Sequence, residues 1–477
     1  MKLVYGIHDK PKFGQVLVFA FQQLLAILAA TIAVPAIIGN EMSQSAALFG
    51  AGVGTLVYLL FTKFNSPVFL GSSFAFIGSM MAAFAGGVSM SLGYLGLILG
   101  TVFAGLVYVV IALAVKFAGV KWIDKLMPAV VIGPTVSIIG LSLAGNAVGD
   151  LTLGKYYVDG ASSANPYVAL ICGLVTLFTV VLCSCYGKKM LKLIPFIIGI
   201  LAGYLVATLF TVVGILTDNT ALMVIDFGEF SNMKFFAIPD FTFVEALKGV
   251  GELNGTYIAT VAVAYIPVAF VVFAEHIADH KNLSTVINKD LLEDPGLHNT
   301  LLGDGIGSAV GAFFGGCANT TYGESISCVA LSKNGSTLTI FAAGIMSMAL
   351  AFFSPFVAVI NMLPKCVMGG ACIAMYGFIA VSGLQMLKDV DLSDNRNLYP
   401  VAAILVIGIG GVTLDFGTNK ITGGALFQLT SLAVAMIVGI LVNALTHSGK
   451  DKVENGAIQE DVPETKQEDT TEVESAE

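Results

Sequence analysis

Three carboxylic acids lie inside or next to stretches of the chain that are otherwise apolar. Glu275 follows the run IPVAFVVFA, Asp279 comes four residues later, and Glu324 directly follows Gly323. The four-residue spacing places Glu275 and Asp279 on one face of a helix. An ionised carboxylate accepts hydrogen bonds from a polar ligand, and a protonated one can also donate. We therefore expect Glu275 and Glu324 to bind a small polar ligand, and all three acids to take up and release protons.

Two histidines on the same stretch raise the question of a metal site. His276 and His280 also have the four-residue spacing, which binds zinc in the order His-Glu-x-x-His. Here the order is Glu-His-x-x-Asp-His, and Lys281 follows directly. We therefore predict no metal site and no bound cofactor, and we expect hydrogen-bonded histidines near a helix end. Asp304, which lies between two glycines, is expected to cap a helix.

The composition of the chain indicates what kind of environment these residues occupy. Of its 477 residues, 56% are hydrophobic and 12% are charged, and the mean hydropathy is +0.87. Soluble proteins have about 25% charged residues, so this chain could not cover a surface that faces water. Its apolar runs of about 20 residues predict transmembrane helices. We therefore expect an all-α polytopic protein in a lipid bilayer. Most of the net charge of −9 lies in the last 28 residues, and no basic face is evident, so no nucleic-acid partner is expected.

The hydropathy pattern predicts fourteen spans separated by short polar loops. An even number places both termini on one side of the membrane. Most loop lysines, and Arg396, fall on that side, so both termini are expected to be cytoplasmic. The predicted spans are 15–38, 45–62, 67–86, 91–115, 126–145, 166–186, 193–216, 244–278, 297–314, 319–332, 336–361, 366–386, 397–414 and 423–446.

The fourteen spans divide into two sets of seven, and one local similarity links the sets. Residues 128–133 read PAVVIG and residues 364–369 read PKCVMG, and each segment opens the fifth span of its half. An odd number of spans in each repeat reverses the orientation of the second repeat in the membrane. The pattern therefore predicts a 7+7 inverted repeat.

The third and tenth spans each begin with a sequence that does not favour a helix. Residues 66–74 read SPVFLGSSF and residues 319–324 read NTTYGE, so short β-strands are expected before each helix. A helix that begins inside the membrane leaves backbone N–H groups free, which is tolerated where they face a polar cavity. Its N-terminus also carries a partial positive charge. We therefore expect the ligand site between these two segments, as in many transporters.

Six segments in one order resemble the nucleobase–ascorbate transporters, also called the nucleobase:cation symporter-2 family. The resemblance extends over residues 5–446 and is strongest to the bacterial uracil permeases. The segments are FQQLLAILAATIAVP at 21–35, LGSSFAF at 70–76, AEHI at 274–277, KDLLEDPGLH at 289–298, NTTYGE at 319–324 and VMGG at 367–370.

The resemblance implies a fold with a core domain and a gate domain. It implies a secondary active transporter, not an enzyme, that takes up uracil with protons by alternating access, as a homodimer in the cell membrane. A symporter for another base such as xanthine or thymine, or an anion exchanger of the same fold, remains an alternative. The implied division is a cytoplasmic N-terminus at 1–14, core segments at 15–116 and 244–362, and gate segments at 117–243 and 363–449. Residues 450–477 are acidic and poor in apolar residues, so their composition predicts a disordered cytoplasmic tail.

The resemblance also implies roles for individual residues. Asp279 stands where some members have a histidine involved in proton coupling. Glu275 and Glu324 match the two acids that would hold the base, and together with Asp279 they would couple transport to protons. The backbone amides of Phe74 and Gly323 would face the carbonyl oxygens of the base. Other pocket positions match Ala30, Tyr322 and Tyr376.

The segment after Glu324 departs from the family pattern. The family usually has an asparagine after the glutamate and a glycine two residues further on, but here Ser325 and Ser327 occupy these positions. A site built for particular hydrogen bonds discriminates strongly between ligands. Which base the chain carries is therefore left open by the sequence.

Overall fold

The computed structural model shows a mostly helical protein. Eight helices among the described residues are long and apolar enough to span a bilayer. The acidic tail predicted at 450–477 lies outside the described residues. The structure describes residues 3–158, 161–162, 164–188, 190–228, 235–418 and 425–447.

The first half of the chain contains ten helices and three short strands within its described residues. They are α1 (Phe13–Ile38), α2 (Gln44–Phe61), β1 (Leu70–Ser72), α3 (Ile77–Ala83), α4 (Met90–Ala118), α5 (Lys121–Leu126), α6 (Ala129–Ser142), α7 (Ala144–Asp150), β2 (Tyr157–Val158), β3 (Ala161–Ser162), α8 (Pro166–Tyr186), α9 (Met190–Leu193) and α10 (Pro195–Leu216).

The second half contains the longest helix described, α12 (Gly255–Ile287). Its elements are α11 (Thr242–Ala246), α12 (Gly255–Ile287), α13 (Leu297–Gly315), β4 (Asn319–Thr321), α14 (Gly323–Ser332), α15 (Thr337–Leu350), α16 (Ser354–Asn361), α17 (Lys365–Gln385), α18 (Asn395–Gly410), β5 (Leu414–Thr418), β6 (Ala425–Leu429) and α19 (Ser431–His447).

Several predicted spans differ from the observed helices, among them 423–446, which includes strand β6 and becomes helical only at Ser431. Two others differ for clear local reasons. The span predicted at 244–278 is α12, which begins at residue 255 because the side chain of Asn254 caps it by accepting a hydrogen bond from the Tyr257 N–H (2.9 Å). The span predicted at 336–361 is divided into α15 and α16. Pro355 lies in the first turn of α16, a position that favours the start of a new helix.

The two segments predicted to be irregular are paired with each other in the middle of the fold. Strand β1 lies antiparallel to β4, with Leu70 opposite Thr321 and Ser72 opposite Asn319. Both strands are buried, and each is followed by a short helix, α3 or α14. The pairing satisfies backbone groups that would otherwise be exposed to an apolar environment.

Glycines allow the helices around this strand pair to approach closely. A Cβ atom on Gly50 of α2 would come within 2.3 Å of the Gly311 carbonyl oxygen on α13, and one on Gly54 within 2.7 Å of the Gly307 carbonyl oxygen. Small residues are the usual means of tight helix packing in membranes. Helices α2 and α13 therefore form a closely packed support for β1 and β4.

Candidate functional site

A cavity of about 310 Å³ lies where α12, α14 and α17 meet the strand pair. Its volume is in the range of sites that bind small molecules. Six residues singled out from the sequence contribute to its wall: Phe74, Glu275, Asp279, Tyr322, Gly323 and Glu324. Elements far apart in the chain thus bring the three acids together around one space.

Two acids reach the cavity from different elements. Glu275 projects from the middle of α12, and Glu324 lies in the first turn of α14. Within the described part of the chain, Glu324 Oε1 has no hydrogen-bond partner. A buried acceptor without a partner is unfavourable until a ligand or water supplies a donor. This carboxylate oxygen is therefore available to a ligand in the cavity.

The third acid, Asp279, is held by a neighbouring hydroxyl. Thr321 Oγ1 donates a hydrogen bond of 2.7 Å to Asp279 Oδ2. Thr321 is the last residue of β4, so this bond joins α12 to the strand that precedes α14. Asp279 also interacts electrostatically with Glu275 and Glu324. A change of charge at any one of the three acids therefore affects the other two.

The start of α14 supplies the donors of the site. The helix begins at Gly323, immediately after β4 and Tyr322. The first N–H groups of an α-helix have no partner within the helix, and the helix dipole adds partial positive charge there. A Cβ atom on Gly323 would lie 3.8 Å from Phe378 and 3.9 Å from Asp279. These are ordinary contacts, and Gly323 itself lines the cavity, so this end of α14 borders the space between the acids.

The Tyr322 ring fixes the relative position of the two broken segments. Its hydroxyl donates a hydrogen bond of 2.6 Å to the Ser72 carbonyl oxygen of β1. The ring also crosses Gly71 so closely that a Cβ atom there would come within 2.5 Å of it. This role of Gly71 was not predicted from the sequence, although a glycine inside a strand often marks a close approach.

Two of the residues predicted for the pocket lie away from the cavity wall. Tyr376 on α17 is buried behind Phe74, and the two rings meet edge to face with centroids 5.4 Å apart. Ala30 is buried within α1, outside the set of described residues that line the cavity. Tyr376 therefore supports a wall residue, while Ala30 packs inside the helix layer.

Ser325 also lies away from the cavity, although it follows Glu324 directly. Its hydroxyl accepts a hydrogen bond of 3.0 Å from the Phe69 N–H, and its carbonyl oxygen accepts one of 3.2 Å from Gln23 Nε2. Ser325 is fully buried. It therefore ties α14 to the segment before β1 and to α1. The polar Gln23 inside the apolar run of α1 was the sequence signal for this contact.

The opposite side of α12 carries a buried polar chain. His276 Nδ1 lies 2.7 Å from Asp304 Oδ2, and His276 Nε2 lies 3.0 Å from Thr300 Oγ1. His280 Nε2 lies 2.7 Å from the Tyr58 hydroxyl, and its ring is stacked on that of His276 at 3.9 Å. The expected cap at Asp304 is wrong, because α13 begins at residue 297. The two histidines are hydrogen-bonded, as expected, but they lie inside α12, which continues to residue 287, and not at its end.

The cavity extends from the acids towards the end of the molecule that holds the N-terminal segment. Lys281, Asn282 and Thr285 line it along α12. Beyond the end of that helix, Lys289 Nζ donates to Asn65 Oδ1 (3.2 Å), and His8 Nε2 lies 3.1 Å from the same oxygen. On the other side, Gln385 and Met386 at the end of α17 form the wall.

The chain is similar to known permeases in sequence and to a solved transporter structure in fold. The model of a family described as "Permease family" matches residues 14–416. The uracil permease of Bacillus caldolyticus is 38% identical over 457 residues, which cover 95% of this chain and 97% of that protein. The uracil permease of Bacillus subtilis (strain 168) is 36% identical over 456 residues, covering 94% and 97%.

A solved structure supports the architecture. The transmembrane domain of a cyanobacterium bicarbonate transporter, BicA, superimposes with a TM-score of 0.59 at 14% sequence identity. The match covers 93% of this chain and 100% of that domain. At this identity the similarity concerns the fold alone.

Proposed function

Because the chain belongs to the nucleobase–ascorbate permease family, we propose that it takes up uracil together with protons across the cell membrane. The observation that carries this proposal is the meeting of Glu275, Glu324 and the start of α14 at one cavity. The similar proteins are uracil permeases, which suggests uracil as the substrate. The alternating-access mechanism and the residue roles below are part of the proposal.

The chemistry of uracil matches the groups around the cavity. The flat ring has two N–H donors and two carbonyl acceptors. Glu275 and Glu324 accept from ring N–H groups, and the free N–H groups at the start of α14 donate to a carbonyl oxygen. Phe74 and Tyr322 provide apolar contact with the ring. Tyr376 contributes by supporting Phe74, and Ala30 contributes through the packing of α1.

Protons are the coupling ion in this proposal, and no other cofactor takes part. Three acids share one cavity, so the arrival of a proton at Glu275, Asp279 or Glu324 reduces their mutual repulsion. The loaded site then crosses the membrane with less buried charge. One charge that moves through 100 mV supplies about 2.3 kcal/mol, which supports about fortyfold accumulation.

The walls of the cavity suggest how access alternates. One wall belongs to the predicted core segments, through α12 and α14, and the other to the predicted gate segments, through α17. Movement of the core relative to the gate would carry the site from one membrane face to the other. The cavity extends towards the end with the N-terminal segment, so we assign this structure to the inward-facing state, with cytoplasmic termini.

For the number of spans, the internal repeat and the oligomeric state, we propose what the family resemblance implies. We propose fourteen spans in a 7+7 inverted repeat, and a homodimer as the functional assembly. The fold shared with a bicarbonate transporter keeps an anion exchanger as the competing function. Three acids around the cavity disfavour that function, since they would repel an anionic substrate.

The test is uptake of labelled uracil into proteoliposomes with and without an inside-alkaline pH gradient. We expect accumulation that depends on the gradient and is reduced by unlabelled uracil. Uptake of xanthine or thymine in place of uracil would reassign the substrate. Bicarbonate or chloride exchange without uptake of any base would overturn the proposal in favour of an anion exchanger.

A further inference from the structure

A second cavity, of about 340 Å³, forms a groove between α4 and α13. Its floor is made by glycines, because the two helices approach so closely that a Cβ atom on Gly105 would come within 2.9 Å of the Gly305 carbonyl oxygen. Its sides are apolar. Val102 and Leu106 line it and are 39% and 53% exposed, so the groove opens on the outer surface of the helix bundle.

The two ends of the groove differ. At one end stands Phe313, whose ring is stacked on that of Phe243 with centroids 4.8 Å apart. The other end points along α4 towards Lys116 and along α13 towards His298. Lys116 lies in the last turn of α4. Lys63 follows α2 two residues after Phe61, whose Cβ atom would lie 3.1 Å from a Cβ atom on Gly303, near the start of α13, so both cations lie at this end of the groove. The groove is therefore closed by an aromatic pair at one end and faces positive charge at the other.

The length of the groove matches one leaflet of a bilayer. It runs along α4 from Ile98 to Val109, which is about 16 Å at 1.5 Å per residue. The hydrocarbon core of a bilayer is about 30 Å thick. Val109 and Lys116 are separated by about 10 Å along the helix, and a lysine side chain extends towards the membrane surface. A phospholipid whose acyl chain lies in the groove would thus span this distance of about 10 Å with its glycerol and phosphate groups, which would reach the level of the two lysines.

We propose that this groove binds an acyl chain of an anionic phospholipid, whose phosphate group contacts Lys63 and Lys116. The apolar walls suit the hydrocarbon, and the lysines suit the charge of the headgroup. A helix of a second protein has a diameter of about 10 Å or more. Such a helix is too wide to enter the groove, so it would contact only the rim, and an apolar helix would supply no anion to the two lysines.

The test is native mass spectrometry of the purified protein after exposure to micelles that contain phosphatidylglycerol or phosphatidylcholine. The charge variant carries Lys63→Gln and Lys116→Gln, with Lys388→Gln, another exposed lysine, as its control. The groove variant is Ala309→Trp, which fills the cavity. Its control is Val110→Trp, at a 65% exposed position of α4 outside the groove. Thermal unfolding establishes that each variant is folded.

We expect the wild-type protein and both controls to retain one phosphatidylglycerol and much less phosphatidylcholine. The charge variant should retain phosphatidylglycerol about thirtyfold less well, since each lysine contributes about fivefold. Ala309→Trp should lose both lipids. Equal retention of the two lipids by the wild type, or unchanged phosphatidylglycerol in folded Ala309→Trp or charge-variant protein, would overturn the proposal. These results do not depend on which substrate is transported.

Discussion

The hydroxyl of Tyr322 donates a hydrogen bond of 2.6 Å to the carbonyl oxygen of Ser72. The bond connects the residue before α14 to the end of β1, so the two broken segments share one junction. Phe74 lies two residues beyond Ser72, and Glu324 two residues beyond Tyr322. Both line the cavity. The position of the cavity groups therefore depends on this junction.

Replacement of Gly71 by alanine should displace Tyr322, because the new methyl group would come within 2.5 Å of the ring. We expect the free energy of unfolding to fall by about 1–3 kcal/mol and the affinity for uracil to fall with it. Thermal unfolding and calorimetric titration measure the two effects. Gly78→Ala is the control, since its Cβ atom would make an ordinary 3.5 Å contact with Thr430. Wild-type affinity in Gly71→Ala would contradict the role of the junction.

Glu275→Gln and Glu324→Gln should each weaken uracil binding by about ten- to hundredfold. The substitution keeps the shape of the side chain but removes a charged acceptor, and hydrogen bonds to charged groups contribute about 1.5–3 kcal/mol. Equilibrium binding of labelled uracil to detergent-purified protein measures the loss. Glu252→Gln, at an exposed position, serves as the control. If both cavity variants bind as tightly as the wild type, the proposed site is wrong.

Asp279→Asn should separate transport from the proton gradient. The side chain keeps a partner for Thr321 but can no longer ionise. We expect exchange of labelled for unlabelled uracil to continue while gradient-driven accumulation is lost. Proteoliposomes allow both measurements on one preparation. Thr321→Val is the companion variant, since it removes the hydrogen bond but leaves the acid, and it should accumulate uracil. Full accumulation by Asp279→Asn would remove this residue from proton coupling.

The sequence was informative wherever a local pattern determines the structure. The long apolar runs of α1, α4, α8 and α10 predicted these helices within a few residues. The strands β1 and β4 were indicated by glycine and β-favouring residues in two otherwise apolar segments. The acids at positions 275, 279 and 324 were conspicuous because charged groups are rare in membrane spans. These features could be predicted because neighbouring residues carry the information.

Contacts between distant segments could not be predicted in the same way. Asp304 was expected to cap a helix, but it lies inside α13 beside His276 of α12. The pattern on α13 gives no indication of which helix packs against it. The same holds for Tyr376, whose contact with Phe74 depends on how α17 meets the segment after β1. Such partners are determined by tertiary packing, which one sequence does not reveal.

The structure gives Ser325 a different role from the one expected from the sequence. A serine where the family has asparagine suggested altered contacts with the base. Instead, its hydroxyl accepts from the Phe69 N–H at 3.0 Å, away from the cavity. Ser325→Ala leaves that buried N–H without a partner, so the free energy of unfolding should fall by about 1–3 kcal/mol. The preference among uracil, thymine and xanthine should not change.

The matched control is Ser327→Ala, at a half-buried position two residues further on. Thermal unfolding and competition binding test both statements, and a changed order of bases in Ser325→Ala would show that this residue acts on the substrate.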